Sequence, residues 1–239
     1  MPSGTMQQQR LNFNIPVSYT YGSWIRHSGV EHGCNRIALW LVQGGMLWLN
    51  SDGVAGKTHF LHALKQEHPH AGLVLVGAGQ EPSVRLVEGW LRQLEPFACW
   101  MVDLPAGPVS RACGLALFHL IERAREMNRS LLISWRCGDD ALAPAELSSR
   151  MRMMEQATMA PPSSDQDMRA IIHSVADELQ WSVKESVVSL MLSQLPRTIG
   201  DQVDALKQLE SAALEDRRRI TRIWAKEKLK LDRNSGAAA

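Results

Sequence analysis

Residues 50–58 read Asn-Ser-Asp-Gly-Val-Ala-Gly-Lys-Thr, directly after the apolar run Met46–Leu49 and directly before a helical pattern over Lys57–Gln66. Glycines between a strand and a helix let backbone amides turn inward around phosphate oxygens. A lysine there reaches the terminal phosphates, and a Ser or Thr hydroxyl ligates magnesium. Gly53, Val54, Ala55, Gly56, Lys57, Thr58 and His59 are therefore candidate nucleotide-binding residues. Ser51 stands where this phosphate-binding pattern begins with glycine, so a Cβ is added near the phosphates. A second apolar run, Cys99-Trp100-Met101-Val102-Asp103, ends on an acid. A carboxylate at such a strand end holds magnesium through water, which makes Asp103 the candidate. The next position is Leu104, where an ATP-hydrolysing protein of this kind carries Asp or Glu to polarise water. The competing readings are a plain turn before a helix and, for Asp103, a strand-end turn residue before Pro105.

Weaker constellations point elsewhere and are outweighed. His59 and His62 lie one helical turn apart, but no third ligand stands nearby, which favours a structural role over metal binding. Gly77-Ala78-Gly79 follows a strand pattern, yet Pro82 takes the place of the third glycine of a dinucleotide site. Arg217, Arg218, Arg219, Arg222, Lys226, Lys228 and Lys230 are interspersed with Glu215, Asp216, Glu227 and Asp232. That mixture reads as a solvated helix face rather than a phosphate-tracking patch.

Elements that could position the main candidates follow from periodicity. Apolar runs Met46–Leu49, Leu73–Gly77, Ala98–Val102 and Leu131–Ser134 alternate with helical patterns Lys57–Gln66, Pro82–Leu94 and Val109–Met127, and a further strand is expected near Ala157–Met159. Such alternation predicts an α/β domain with a largely parallel sheet. Ala160-Pro161-Pro162-Ser163-Ser164 breaks it, because proline lacks an amide proton and fixes φ. Beyond it only helical patterns occur: Met168–Leu179, Lys184–Gln194, Asp201–Leu214 and a basic stretch from about Ile220 to Leu231. Ser163 or Ser164 suits an N-cap ahead of Asp165 and Asp167. Trp24, Trp40, Trp48, Trp90 and Trp100 lie in apolar contexts where core burial is expected.

The chain of 239 residues has room for one large domain, or for one plus a small one. Lys and Arg total 26 against 25 Asp and Glu, so no whole-molecule field drives nucleic-acid or membrane binding. Cys34, Cys99, Cys113 and Cys137 are scattered without a CxxC pair, which fits a reduced, cytoplasmic setting. No apolar run approaches the roughly 20 residues of a membrane span.

The run Gly56-Lys57-Thr58-His59-Phe60-Leu61-His62-Ala63-Leu64 resembles the G-K-T-H-L-L-H-A segment of the DnaA-related AAA+ family. Asp103, Ala106-Gly107, Phe118-His119-Leu120, Leu131–Ser134, Glu146–Arg150 and Pro161-Pro162 follow in the family's order. The resemblance runs from about Leu11 to Leu231 and implies a P-loop AAA+ domain with a central parallel sheet, followed by a small all-helical lid domain. Residues 1–20 are then an N-terminal docking segment, 21–160 the nucleotide-binding domain, 161–232 the lid and 233–239 a disordered tail. Because the chain ends before a C-terminal DNA-binding domain, it is similar in architecture to the short Hda-type regulators, which inactivate ATP-bound DnaA.

Several roles come with that resemblance. Gln8-Gln9-Arg10-Leu11-Asn12-Phe13 fits the family's motif for the DNA polymerase sliding clamp, with Gln8, Leu11 and Phe13 as contact residues. Packing of Leu11, Phe13 and Ile15 on the domain as a strand is the alternative. Arg150 matches the arginine finger that acts on the nucleotide of a neighbouring subunit, and Arg152 lies close enough to exchange with it. Pairing of Arg150 with Glu146 at i,i+4 spacing is the competing reading. Ser134 and Arg136 fall where a polar residue senses the γ-phosphate, with Trp135 unusual between them. Gly200 stands where the family carries a lid arginine, leaving Arg197 as substitute sensor. The implied ligands are ADP or another nucleoside diphosphate, or ATP, with Mg. The implied partners are DnaA and the sliding clamp, without sequence-specific DNA contact or membrane, and with self-association left open. The expected function is negative regulation of replication initiation, by promoting hydrolysis of DnaA-bound ATP or, alternatively, by recruiting DnaA as a nucleotide-binding scaffold.

Overall fold

The structure is a computed structural model and describes residues 24–77, 82–138, 142–216 and 218–231. The proposed clamp residues Gln8, Leu11 and Phe13, the glycine at 79 and the terminal tail lie outside them. After a 3-10 turn at Ser28–Val30, the chain runs through α1 (Glu31–Gln43), β1 (Met46–Ser51), α2 (Lys57–Glu67), β2 (Ala71–Leu75) and α3 (Ser83–Leu94). Next come β3 (Cys99–Asp103), α4 (Arg111–Glu126), β4 (Ser130–Ser134), α5 (Ala145–Met153) and β5 (Glu155–Met159). Only helices follow among the described residues: α6 (Asp165–Glu178), α7 (Glu185–Gln194), α8 (Ile199–Asp216) and α9 (Arg222–Lys228).

The strands form one parallel sheet in the order β2-β3-β4-β1-β5. Side chains on a strand alternate between faces, and here both faces are covered. Trp48, Trp100, Val102, Leu131 and Ile133 enter the core beneath α3, α4 and α5, while Leu47, Leu49, Met101 and Leu132 join α1 and α2 on the other side. This double burial is why the strands read as near-continuous apolar runs. Trp135, odd by the family pattern, is fully buried in the first core, where its indole N–H donates to Gly107 O at 2.9 Å. Trp40, Trp48, Trp90 and Trp100 are buried as expected, but Trp24 is only partly so.

The sequence periodicity left α1 and α5 unassigned, although Cys34, Ile37 and Trp40 repeat at i,i+3 and are buried along α1. Strands β2 and β3 are shifted from the expected ranges by one or two residues, because hydrogen bonding to neighbours, not hydrophobicity, sets their ends. The basic C-terminal helix is shorter than expected. Thr221 caps it by accepting from Trp224 N, and Lys230 leaves the helix at φ 54°. Ser164 is the cap of α6, accepting from Asp167 N at 3.0 Å. Helices α6 to α9 close on a third core containing Met168, Ile172, Val187, Met191, Leu206 and Trp224, separate from the two cores of the sheet. No helix is long and apolar enough to cross a membrane among the described residues.

Candidate nucleotide-binding site

The parallel register brings the candidate residues together at the C-terminal ends of the strands. Asp103, the last residue of β3, pairs with Ser134, the last of β4, and Leu49 of β1 stands beside Ser134. Open parallel sheets bind ligands at this edge, where helix N-termini converge. The sheet order β2-β3-β4-β1-β5 places β1 between β4 and β5, so its loop is flanked on both sides.

The loop from Ser51 into α2 needs its glycines. Gly56, the N-cap of α2, sits at φ 73°, a left-handed conformation open to glycine at little cost. A Cβ on Gly53 would meet Pro161 Cγ at 2.7 Å, so the loop packs directly against the proline segment that follows the sheet. No side chain caps α2, which leaves its first-turn amides available to an anion.

Side chains complete the site. Thr58 Oγ1 donates to Asp103 Oδ2 at 2.5 Å, and Ser134 Oγ donates to Asp103 Oδ1 at 2.6 Å. The carboxylate is thus held at both oxygens while 7% exposed. A buried charge needs that satisfaction. Lys57 Nζ donates to Ser51 Oγ at 2.5 Å. Burial pulls the Lys57 ammonium down to about 8, Arg136 pulls the same way, and the Asp103 carboxylate opposes both. The hydroxyl of Thr58 and the carboxylate of Asp103 are hard oxygen donors, the set that suits magnesium beside phosphates. Trp24 stands at the rim of the loop, with its indole nitrogen 3.5 Å from the position of a Cβ on Gly56 and its ring centre 4.6 Å from that of Phe60.

Position 104 completes the picture. Leu104 is 6% exposed, belongs to the core beneath α3 to α5, and donates its amide to Ser134 O at 2.9 Å. An apolar side chain beside Asp103 thus points into packing.

Other candidates fall outside this cluster. Arg150 on α5 pairs with Glu122 of α4, not with Glu146 on its own helix. Glu122 carried no signal in the sequence, since the pair bridges 28 positions. Arg197 is exposed and pairs with Asp165 at 3.2 Å, at the start of α6. Gly200 has open space around it, its nearest neighbour being Thr198 Oγ1 at 3.9 Å. Among the described residues no group of three or more His, Cys, Asp or Glu could hold a metal.

A parallel sheet in this order, with a glycine loop after its first strand, a carboxylate ending the third and a hydroxyl ending the fourth, has the fold of AAA+ domains. Domain III of the Thermotoga maritima replication initiation protein DnaA has that fold, with a TM-score of 0.69, 16% identity, and coverage of 89% of this chain and 95% of the other. The Thermotoga maritima RuvB Holliday junction branch migration motor matches at 0.65 and 11% identity, over 90% of this chain and 72% of the other. AMPPCP-bound DnaA from Aquifex aeolicus matches at 0.57 and 13% identity, over 92% and 84%. No family sequence model and no curated protein matches the chain.

Proposed function

We propose that the protein is a nucleotide-binding regulator of replication initiation that acts on a partner's ATP hydrolysis and does not run its own cycle. The observation that carries this reading is the contrast between Asp103 and Leu104. Asp103 is engaged at both oxygens by Thr58 and Ser134, while the adjacent position is a leucine sunk in the core. The site is furnished for phosphates, and position 104 offers no base to activate water.

In this reading the amides of Gly53–Thr58 cradle the phosphates of ADP or another nucleoside diphosphate, Lys57 pairs with their charge, and Ser134 and Arg136 face the terminal position. Magnesium would be held by the Thr58 hydroxyl and, through water, by Asp103, and it would neutralise phosphate charge. Gln8, Leu11 and Phe13 dock on the sliding clamp, and Arg150 is presented to ATP held by DnaA. Support comes from the DnaA-like fold and from the position of Arg150, between β4 and the proline segment.

One observation favours a second reading. Arg150 is already engaged by Glu122, as befits a structural residue of a scaffold that recruits DnaA without stimulating hydrolysis. The deciding experiment mixes the protein with clamp-loaded DNA and ATP-bound DnaA and follows ADP. Stimulated hydrolysis that is lost in R150A supports the regulator, and an unchanged ATP-bound fraction supports the scaffold. Steady-state turnover near 1 s⁻¹ by the protein alone would overturn both, since that rate is in the range of self-sufficient ATPases.

A further inference from the structure

We infer that the Ser51 hydroxyl is a built-in competitor for the P-loop lysine: it accepts a hydrogen bond from Lys57 that the phosphates of a nucleoside diphosphate must displace. This rests on the reading of residues 53–58 as a nucleotide site.

Three observations meet at this position. First, Ser51 is fixed. It ends β1, pairs in register with Met159 of β5, is 4% exposed, and donates its amide to Asn50 Oδ1 at 2.8 Å. Asn50 is itself braced through Nδ2 to Cys137 O at 3.4 Å. Second, the Lys57 side chain reaches back across the loop from the first turn of α2 and donates to Ser51 Oγ at 2.5 Å. Third, the position is the one that a P-loop ordinarily gives to glycine, which has no side-chain acceptor to offer a lysine. In such a loop no side chain at this position competes for the ammonium, whereas here a fixed hydroxyl already occupies one of its three donors.

The direction of the effect follows. Phosphate must replace a hydrogen bond to a charged group, and the strand end cannot swing aside without breaking its ladder with β5. A protein whose competent state is held back by an internal contact binds more weakly by the fraction that is competent. Ser51 therefore lowers nucleotide affinity and favours exchange.

Calorimetric titration of the full chain with ADP and magnesium tests this, with thermal melts to confirm that each variant is folded. S51A and S51G are both expected to bind about tenfold more tightly than wild type, the size of one hydrogen bond to a charged group. The gain is expected to vanish in a K57A background, where no ammonium remains to be released. Weaker binding by S51A shows that the hydroxyl is a phosphate ligand and overturns the inference. A gain confined to S51G shows that the Cβ obstructs and the hydroxyl is idle, which also overturns it. If wild type, S51A and S51G all fail to bind, the nucleotide site itself is refuted, whereas tight binding that is equal in all three refutes only the competitor.

Discussion

Arg150 of α5 and Glu122 of α4 form a forked pair, with Nε donating to Oε1 at 2.6 Å and Nη2 to Oε2 at 3.3 Å. The guanidinium also stands 5.9 Å from the centre of the Phe118 ring, and Arg125 approaches Glu122 at 3.6 Å. The Arg150 hydrogen bond, and then its charge, hold the Glu122 carboxyl below its ordinary range. Both side chains remain about one-third exposed, so water screens the pair.

A screened surface pair is a weak restraint, and that decides between a latch and a resting place. E122A is expected to change stimulated hydrolysis by less than about fivefold, because an exposed ion pair contributes little against a triphosphate. R150A is expected to abolish stimulation while leaving clamp binding and the melting temperature unchanged, and R150K to fail too, since an ammonium lacks the planar fork. ADP formation on clamp-loaded DNA measures all three. A stronger defect in R152A would move the finger by two residues.

Leu104 cannot be converted into a catalytic acid by simple substitution. L104D removes a leucine from the core and leaves a carboxylate there without a partner, which is expected to destabilise the fold by about 4 kcal/mol or more. At this chain length the melting temperature falls by about 8 °C or more. A folded L104D protein that turns over ATP would show that the strand end adapts to a base.

The clamp prediction concerns residues 8–13, outside the described structure. Replacing Leu11 and Phe13 together by alanine is expected to erase micromolar clamp binding, because apolar anchors carry most of a short-peptide interface. Surface plasmon resonance against the sliding clamp and a parallel thermal melt separate the possibilities. Retained affinity rejects the docking role. An unfolded double variant shows instead that the segment packs on the domain.

Cys34 and Cys113 give a pH dependence. Burial pushes each thiol up to about 11 from an ordinary 9. Between those values the unfolded chain releases protons that the folded chain keeps, so their contribution to stability is intact below pH 9 and is lost as pH rises toward 11. Urea unfolding across pH 8 to 11 is expected to show a falling stability, with a shallower fall in a C34A/C113A protein. Equal slopes would mean that neither thiol is held protonated by the fold.

The sequence alone pointed to the candidate residues of the site and to the strands of a largely parallel sheet, but not to their order. The candidate loop is contiguous, so Gly56, Lys57 and Thr58 stand out by type and spacing, and Asp103 does so by ending an apolar run. Double burial made β1, β3 and β4 legible as apolar runs, and Pro161-Pro162 marked where strands give way to helices. Helix α5 was harder to see, because only Leu147 and Met151 of its residues are buried, too few to set a clear period. Tertiary structure alone decided the pairings. The register of β3 against β4 sets Ser134 beside Asp103, the return of Lys57 across its loop finds Ser51, and the packing of α5 on α4 gives Arg150 to Glu122 instead of Glu146. Periodicity fixes which face of an element is buried. It is silent on which residue of a neighbouring element stands opposite, because strand register and helix packing are settled by the whole core at once.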